Sequence, residues 1–249
     1  MSGLSSLSKA LTILNLFNED HPLWSADAVI RQLGFSQPTG YPYMRELCAQ
    51  GYLIRLTDGY VLGPKIIELD YHIRKADPIF QGAQAIMRDL AAQTGFDVLL
   101  LSIFGDQIVT THHEAGRETL TISFGRGHPM PLLRGAGSRA IVAFLSKAHR
   151  RRIYSRNADE AREAGLGATY EAYEANIRKV RTDHFAVSLA ELNEGNVGLA
   201  SPIFQNGRIA CGSLTFVLTT PSYEAADHDA LIRTIKQAAK RISVDVMQR

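Results

Sequence analysis

The side chains best suited to metal chemistry are three neighbours, His112, His113 and Glu114. Imidazole and carboxylate groups are common metal ligands. These three residues fall in a predicted strand, however, where adjacent side chains point to opposite faces and do not converge on one ion. No Cys/His spacing typical of a metal site accompanies them in the sequence. The sequence therefore predicts no metal site.

Glycine-rich stretches and a serine offer two further kinds of chemistry, and neither has its full motif. Gly125-x-Gly127 and Gly135-x-Gly137 lack the strand-to-helix context of a dinucleotide site. Ser138 has no surrounding G-x-S-x-G elbow that would make it a nucleophile. We therefore expect no catalytic residue and no cofactor, and the chain is not expected to be an enzyme.

The composition sets the broad class of protein. The chain has 249 residues, of which 45% are hydrophobic and 21% charged, and its formal net charge is +2. No apolar run approaches the roughly 20 residues that cross a bilayer, and the stretch MSGLSSLSKAL lacks a signal-peptide pattern. Cys48 and Cys211 lie far apart in the sequence, which argues against a disulfide framework and for a reducing compartment. We expect a cytoplasmic globular protein without a membrane partner.

Residues 25–62 carry the pattern of a winged helix-turn-helix. Ser25 is a candidate N-cap for a helix that ends at Gly34, and a second helix ends at Gly51. Two apolar segments then flank Asp58-Gly59, which is a strong hairpin signal. In such modules the second helix enters the major groove of DNA. A plain helical hairpin followed by an unrelated β-ribbon is the alternative.

A helix over residues 8–18 is expected to support this module, and the recognition helix after it contains two helix-disfavouring residues. In a helix interior, Gly40 would cost roughly 1 kcal/mol and Pro42 roughly 3 kcal/mol. We predict that Thr39 is the N-cap, which places both residues in the first turn, or that the helix is kinked at Pro42.

The start of the recognition helix is expected to lie nearest to DNA. Tyr41 and Tyr43 could donate hydrogen bonds to phosphates, with core packing as the alternative for either tyrosine. Arg45 could bind a phosphate or a guanine edge. The first 65 residues carry five basic and five acidic side chains, so two copies on one operator would compensate for weak binding by each. The candidate DNA-binding residues are Lys9, Ser36, Gln37, Thr39, Gly40, Tyr41, Tyr43 and Arg45.

The remainder of the chain predicts a linker and an α+β sensor-like domain with one mainly antiparallel sheet. Asp77-Pro78 separates a linker helix over 65–75 from a helix over 79–94, and the pair would suit a dimerising connector or a plain linker. The predicted strands are 98–104, 107–113, 120–124, 185–192, 197–204 and 209–218, and the later helices are 135–146, 169–182 and about 223–247. The predicted domains are 1–64, 65–78 and 79–249.

One run of basic residues, 149–152, has the sequence HRRR. We expect it to be a solvated helix face, with an anion site or a subunit contact as the alternative.

Over nearly its whole length the chain resembles the IclR family of bacterial transcriptional regulators. The matching stretches are SKALTILNLF, GFSQPTGYPYMRELCAQGYL, GYVLGPKIIEL, MRDLAAQTGFDVLLL, GHPMPLLRGAGSRAIVAFL and NEGNVGLASPIFQNGRIACGSLTF. Their order and spacing carry the resemblance together. It implies an N-terminal winged helix-turn-helix, a GAF-like C-terminal domain that binds a small effector, and a homodimer or a tetramer made of two dimers.

The resemblance also implies an effector site. Where the family usually has a His and a Gly-Lys pair before and in the pocket helix, this chain has Leu133 and Ser138-Arg139, and the frequent pocket Cys is Gly198. These departures imply a pocket larger and less polar than a two- or three-carbon keto acid requires. Arg134 is a candidate carboxylate clamp, unless it faces solvent or pairs with Glu191. The implied effector-binding residues are Arg134, Gly135, Ala136, Gly137, Ser188, Glu191, Gly198, Ser213 and Thr215.

The function that these patterns favour is a ligand-responsive transcriptional regulator. It would bind double-stranded operator DNA through the winged helix and a small organic acid, aromatic or medium-sized, in the C-terminal domain. Effector binding would favour one placement of the DNA modules through the helices around Asp77-Pro78. A protein-interaction module and a sensor-fold enzyme with a vestigial winged helix are the alternatives.

Overall fold

The computed structural model describes residues 5–248, and the chain divides into two compact units, Met1–Ala76 and Asp77–Arg249. The elements of the first unit are α1 (Ser6–Leu14), α2 (Ala26–Leu33), α3 (Gln37–Ala49), β1 (Leu53–Arg55), β2 (Tyr60–Leu62) and α4 (Lys65–Ala76). This order is a helix-turn-helix followed by a wing, as the sequence predicts.

Local hydrogen bonds fix where the first two helices begin. The hydroxyls of Ser5 and Ser25 are N-caps, and each accepts a hydrogen bond from the amide three residues later. Gly34 ends α2 at a φ of 64°, a left-handed conformation that glycine adopts without strain. The predicted Ser25 cap and Gly34 end are confirmed. Helix α1 spans Ser6–Leu14 instead of 8–18, because Ser5 caps it earlier than the apolar pattern indicates.

The wing is a short antiparallel hairpin in which Leu53 lies opposite Leu62. The Leu56 amide donates to the Gly59 carbonyl across the predicted turn at 2.7 Å. The hairpin prediction is therefore confirmed. The core under the helices and wing is made of Ile13, Val29, Ile30, Met44, Leu47, Leu53 and Tyr60.

The second unit begins with a helix that Asp77 caps, and Gly95 ends that helix. Its helices are α5 (Pro78–Thr94), α6 (Ala136–Val142), α7 (Lys147–Arg156), α8 (Ala158–Glu163), α9 (Tyr170–Asp183), α10 (Thr220–Ala225) and α11 (His228–Met247). Its strands are β3 (Asp97–Phe104), β4 (Gln107–Glu114), β5 (Pro129–Met130), β6 (Ala186–Leu189), β7 (Asn196–Phe204) and β8 (Ala210–Thr219).

Within residues 77–248 the six strands form one sheet in the order β5-β4-β3-β8-β7-β6, and all neighbours are antiparallel. Alternation along β3 divides the core: Val98 and Leu100 pack on the face that α5 and α11 cover. Leu99 and Leu101 pack on the opposite face, with α6. The predicted α+β class with a mainly antiparallel sheet is confirmed.

The predicted strand at 120–124 is wrong, because this segment is a loop. The edge of β4 pairs instead with β5. Ile122 and Phe124, whose alternation suggested a strand, cover a cavity that is described below.

Two other predictions need correction. The predicted helix over 223–247 is two helices, because Thr219 caps α10 and Asp227 caps α11 after an extended Ala226.

The basic run 149–152 is only partly solvated, since Arg150 is buried and its guanidinium donates to both carboxylate oxygens of Glu174 at 2.6 and 3.1 Å. An arginine buried with a bidentate partner cannot be told from its exposed neighbours in the sequence.

Among residues 5–248, no helix is both long enough and apolar enough to span a membrane. In the same part of the chain, Cys48 and Cys211 are free thiols.

Candidate DNA interface and ligand cavity

Helix α3 begins earlier than the sequence predicts. Ser36 is its N-cap, and the Ser36 hydroxyl lies 2.9 Å from the hydroxyl of Thr39. The Thr39 amide already donates to the Ser36 carbonyl at 3.0 Å. The prediction that Thr39 is the N-cap is therefore wrong, and Pro42 lies inside the helix. Tertiary packing against α2 stabilises a helix start that local propensity disfavours.

Gly40 lies on the buried side of α3, contrary to its expected place beside DNA. A Cβ atom at this position would stand 2.6 Å from Cγ1 of Ile30 in α2. Glycine is therefore required for the close approach of the two helices. The sequence showed the helix-propensity cost of this glycine but not the packing that requires it.

Tyr43 belongs to the core side of α3 as well. It is half-buried, and its ring packs edge-on against Phe35 with centroids 5.9 Å apart. Its placement matches the core-packing alternative, so we remove Tyr43 from the candidate phosphate contacts.

The exposed side of α3 carries Gln37, Tyr41 and Arg45. The Tyr41 hydroxyl donates to Asp27 of α2 at 3.0 Å, and this hydrogen bond raises the pKa of Tyr41 above its usual value. Among the described residues, Arg45 has no ion-pair partner. Lys9 is half-buried near the start of α1.

A surface groove runs between α3 and the wing. Its walls include Arg45 from the helix and Arg55 from β1. Arg55 is exposed and has no ion pair in the described chain, so both guanidiniums are available to an anion. The Cys48 thiol in the same groove has its pKa raised by burial, which keeps it neutral. The sequence prediction left out Arg55, although its place on the first wing strand was a usable signal.

The second unit contains a cavity of about 50 Å³ on the sheet face that α6 covers. A space of this size holds only a few water molecules. Its described lining residues are Leu99, Leu101, Ile122, Phe124, Met130, Ala136, Gly137, Ser188, Glu191, Leu192, Asn193, Asn196, Gly198, Thr215 and Val217. The lining is mainly apolar, as the sequence predicts, but the cavity is smaller than the sequence predicts.

The structure brings most of the implied effector residues together at this cavity. Those that line it are Ala136, Gly137, Ser188, Glu191, Gly198 and Thr215. Gly135 and Ser213 are not among the lining residues, and the Ser213 hydroxyl donates to the carbonyl of the lining residue Gly137 at 3.0 Å. Arg134 and the buried Leu133 are not among the lining residues.

Arg134, the carboxylate clamp that the sequence suggested, lies outside the lining of this cavity. Its guanidinium donates to the backbone carbonyl of Glu191. The Glu191 side chain instead pairs with Arg139, at 2.5 Å between Oε1 and a guanidinium nitrogen. The second carboxylate oxygen of Glu191 accepts from the Gly135 amide at 2.9 Å. The sequence reasoning missed Arg139, which occupies the second position of the family's Gly-Lys pair.

One polar atom on the cavity wall, the Thr215 hydroxyl, lacks a hydrogen-bond partner within residues 5–248. Outside the lining, in α6, the buried Ser138 Oγ and Arg139 Nε also lack one in the same part of the chain. An unpaired buried polar atom costs free energy, so the Thr215 hydroxyl favours a polar ligand group beside it. The Ser188 hydroxyl, by contrast, already accepts from the Ala136 amide at 3.0 Å.

Two loops close the cavity. The loop after β4 contributes Ile122 and Phe124, and the loop between β6 and β7 contributes Leu192 and Asn193. The loops are joined by the Asn193 amide group, which donates to the Ser123 hydroxyl at 2.6 Å. Separating these loops would open the cavity.

The histidine pair on β4 has structural partners. His112 lies 2.8 Å from Glu114, and His113 lies 2.7 Å from Asp97, which also accepts from the Gly116 amide. No group of three metal-ligating side chains occurs in the described part of the chain.

Comparison with known sequences gives two family matches. Residues 6–56 match the IclR helix-turn-helix domain, and residues 72–244 match the bacterial transcriptional regulator IclR C-terminal domain. The HTH-type transcriptional regulator XynR of Escherichia coli (strain K12) is 22% identical over 246 residues, which cover 98% of this chain and 97% of that protein.

Solved structures give the same result for the fold. An IclR transcriptional regulator from Alicyclobacillus acidocaldarius superposes with a TM-score of 0.82 at 21% identity, covering 98% of this chain and 99% of that one. An IclR homologue from Microbacterium hydrocarbonoxydans, solved in complex with 4-hydroxybenzoate, has a TM-score of 0.82 at 18% identity, covering 98% of this chain and 100% of the other.

Proposed function

The chain belongs to the IclR family of transcriptional regulators, and on this premise we propose how it binds DNA and what kind of effector it takes. Its helix-turn-helix would bind double-stranded operator DNA through the exposed side of α3 and the wing. Its C-terminal domain would bind a small organic acid in the cavity beside α6. Catalysis has no part in this function, since the relatives are named as transcriptional regulators.

The observation that carries the DNA proposal is the pair of exposed arginines along the groove between α3 and the wing. Arg45 and Arg55 have no acidic partner among the described residues. Guanidinium groups that are not neutralised inside the protein are suited to phosphate or guanine. Gln37, Thr39 and Ser36 at the start of α3 would complete the contact surface, with Lys9 on a flanking phosphate.

Two observations support an acidic effector. The IclR homologue from Microbacterium hydrocarbonoxydans is complexed with 4-hydroxybenzoate, an aromatic acid. In this chain, the mainly apolar lining of the cavity includes Glu191, whose carboxylate is paired with the buried guanidinium of Arg139. A ligand with an apolar body and a carboxylate would match these two properties. The cavity of about 50 Å³ would have to widen to admit an aromatic ring.

A homodimer, or a tetramer of two dimers, would place two recognition helices on one pseudo-palindromic site. Exposed apolar side chains on α4 support association of copies through this helix. No residue of α4, which lies wholly in the described chain, is buried, and Ile67, Tyr71 and Ile73 are among its exposed side chains.

Fluorescence anisotropy with the DNA that flanks the protein's own gene tests the DNA proposal. A salt series with non-specific competitor should show sequence-selective binding whose affinity falls steeply with salt, because phosphate contacts release counterions. Absence of selectivity even at low salt would contradict the proposal. It would favour a winged helix that binds a protein partner instead.

A further inference from the structure

The carboxylate of Glu191, which lines the cavity, occupies an anion position formed by Arg139 and Gly135, and neither of these two residues is itself a lining residue. The carboxylate accepts from the Arg139 guanidinium at 2.5 Å and from the Gly135 amide at 2.9 Å. Arg139 is 8% exposed and also donates to the Val187 carbonyl at 2.7 Å. A buried guanidinium needs an anionic partner, and here the protein supplies it.

The same carboxylate excludes a ligand acid from that position. Glu191 is the only charged residue among the described residues that line the cavity. An acid that enters without moving Glu191 would face a like charge in a mainly apolar space. Its carboxylate would find Arg139 already neutralised by Glu191, and Arg134, which donates to the Glu191 backbone carbonyl, lies outside the lining.

The loop that carries Glu191 has an unfavourable backbone conformation and lies next to solvent. Glu191 follows Ala190, whose φ of 51° is a left-handed conformation that non-glycine residues rarely adopt. The side chain of Glu191 is 18% exposed, and Glu194 and Gly195 beyond it are exposed, so solvent lies next to this loop. Removal of Glu191 and Leu192 from the lining would also enlarge a cavity that is too small for an aromatic acid.

We propose that Glu191 is a built-in competitor for the effector: its carboxylate occupies the anion position at Arg139 and Gly135, and the effector's carboxylate displaces it. The exchange leaves one carboxylate on Arg139 in both states. Effector binding would therefore be coupled to release of the loop between β6 and β7. This inference rests on the proposed acidic effector and assigns its carboxylate to Arg139.

The test uses the full chain and calorimetric titration with benzoate and with benzamide, its uncharged analogue. Glu191→Gln keeps the size of the side chain but removes the competing charge. We expect this variant to bind benzoate at least tenfold more tightly than the wild type and to bind benzamide equally or less well. Glu194→Gln, in the same loop but exposed, is the control and should bind benzoate as the wild type does.

Two further variants keep the test decisive. Glu191→Asp retains the charge on a shorter side chain, so its affinity for benzoate should lie between those of the wild type and Glu191→Gln. Its gain over the wild type can be measured even if Glu191→Gln unfolds. Arg139→Gln in the Glu191→Gln background should lose the gain for benzoate, because the cation that holds the carboxylate is gone.

The outcomes separate the two proposals. Equal benzoate affinity in the wild type, Glu191→Gln and Glu191→Asp would overturn the competitor role while an acidic effector remains supported. An equal gain in affinity for benzamide would also overturn the competitor role, since the substitution would then act by changing the space in the cavity and not by removing a charge. If benzoate binds none of the variants, the competitor role and the acidic effector both fail. Operator binding by the same samples tests the DNA proposal separately.

Discussion

Arg45 and Arg55 are the residues on which operator affinity should depend most. They come from different elements, α3 and β1, yet lie on one groove without acidic neighbours that pair with them in the described chain. The first 65 residues carry equal numbers of basic and acidic side chains, so each unpaired cation contributes a large share of the available positive charge.

We predict that Arg45→Ala and Arg55→Ala each weaken operator binding. Each lost phosphate contact should reduce the slope of log K against log salt by about 0.9. Anisotropy titrations across a salt series measure this slope. Arg178→Ala, which removes an exposed arginine from α9, is the matched control. Equal slopes for all three variants would show that the groove does not contact phosphates.

Ser213 and Thr215 give a matched pair on one face of β8. Ser213 donates a hydrogen bond to the Gly137 carbonyl, whereas the Thr215 hydroxyl has no partner in residues 5–248. Thr215→Val should leave the free energy of unfolding equal or higher and should weaken benzoate binding. Ser213→Ala should lower the free energy of unfolding by about 1 kcal/mol. Urea unfolding and calorimetry measure these effects. A clear loss of stability in Thr215→Val would mean that its hydroxyl is satisfied in the protein.

At the residue scale the sequence predicted the kind of pocket better than its details. Six of the nine effector residues that the family resemblance implies line the cavity. The pairing of Arg139 with Glu191 was not predictable in this way. It depends on Glu191, which is 52 residues further along the chain than Arg139 and lies in a loop of irregular conformation.

At the scale of elements, α3 forms in spite of Pro38, Gly40 and Pro42. Pro38 occupies the first turn, where a missing N–H has no consequence. Pro42 lies further in and deprives the Pro38 carbonyl of its helical hydrogen bond. Gly40 provides the close contact with Ile30 that holds α3 on α2. Packing thus overcomes a weak local preference.

Pro42→Ala should therefore stabilise the first unit, by up to about 3 kcal/mol, because it restores the backbone hydrogen bond to Pro38. Pro38→Ala is the control and should change the free energy of unfolding much less. Urea unfolding followed by circular dichroism measures both. A destabilised Pro42→Ala variant would indicate that the proline ring itself packs in a way that the helix requires.

Elements that depend on local signals were predictable, and those that depend on distant pairing were not. The Ser25 cap, the Gly34 end and the Asp58-Gly59 turn act within a few residues, so α2 and the wing were predicted correctly. The segment 120–124 has the alternation of a strand, but β5 takes its expected place beside β4. Which segment pairs with the edge of β4 therefore depends on the whole sheet and not on the local sequence pattern.

At the scale of the whole molecule, α4 leaves a row of apolar side chains exposed. Ile67 is 73% exposed, which is unfavourable unless another surface covers it. Association of copies through this helix would bury the row and place two DNA-binding units together. The interface of the proposed oligomer would then include α4, the segment that the sequence predicted as a linker helix.

Ile67→Glu should shift the chain towards monomers, because the interface would bury an unpaired charge. Sedimentation velocity over a range of concentrations measures the shift. Ile209→Glu alters an isoleucine that is 54% exposed in the second unit and is the control. If Ile67→Glu sediments like the wild type and Ile209→Glu does not, the interface lies in the second unit instead.

We propose that occupation of the ligand cavity changes the affinity of the same chain for its operator. The most direct measurement is the anisotropy-derived Kd for the operator in the absence and presence of saturating benzoate. We expect this Kd to change by roughly fivefold or more in either direction, and by linkage the operator must change the benzoate affinity by the same factor. An operator Kd that does not change while benzoate demonstrably occupies the protein would contradict this coupling.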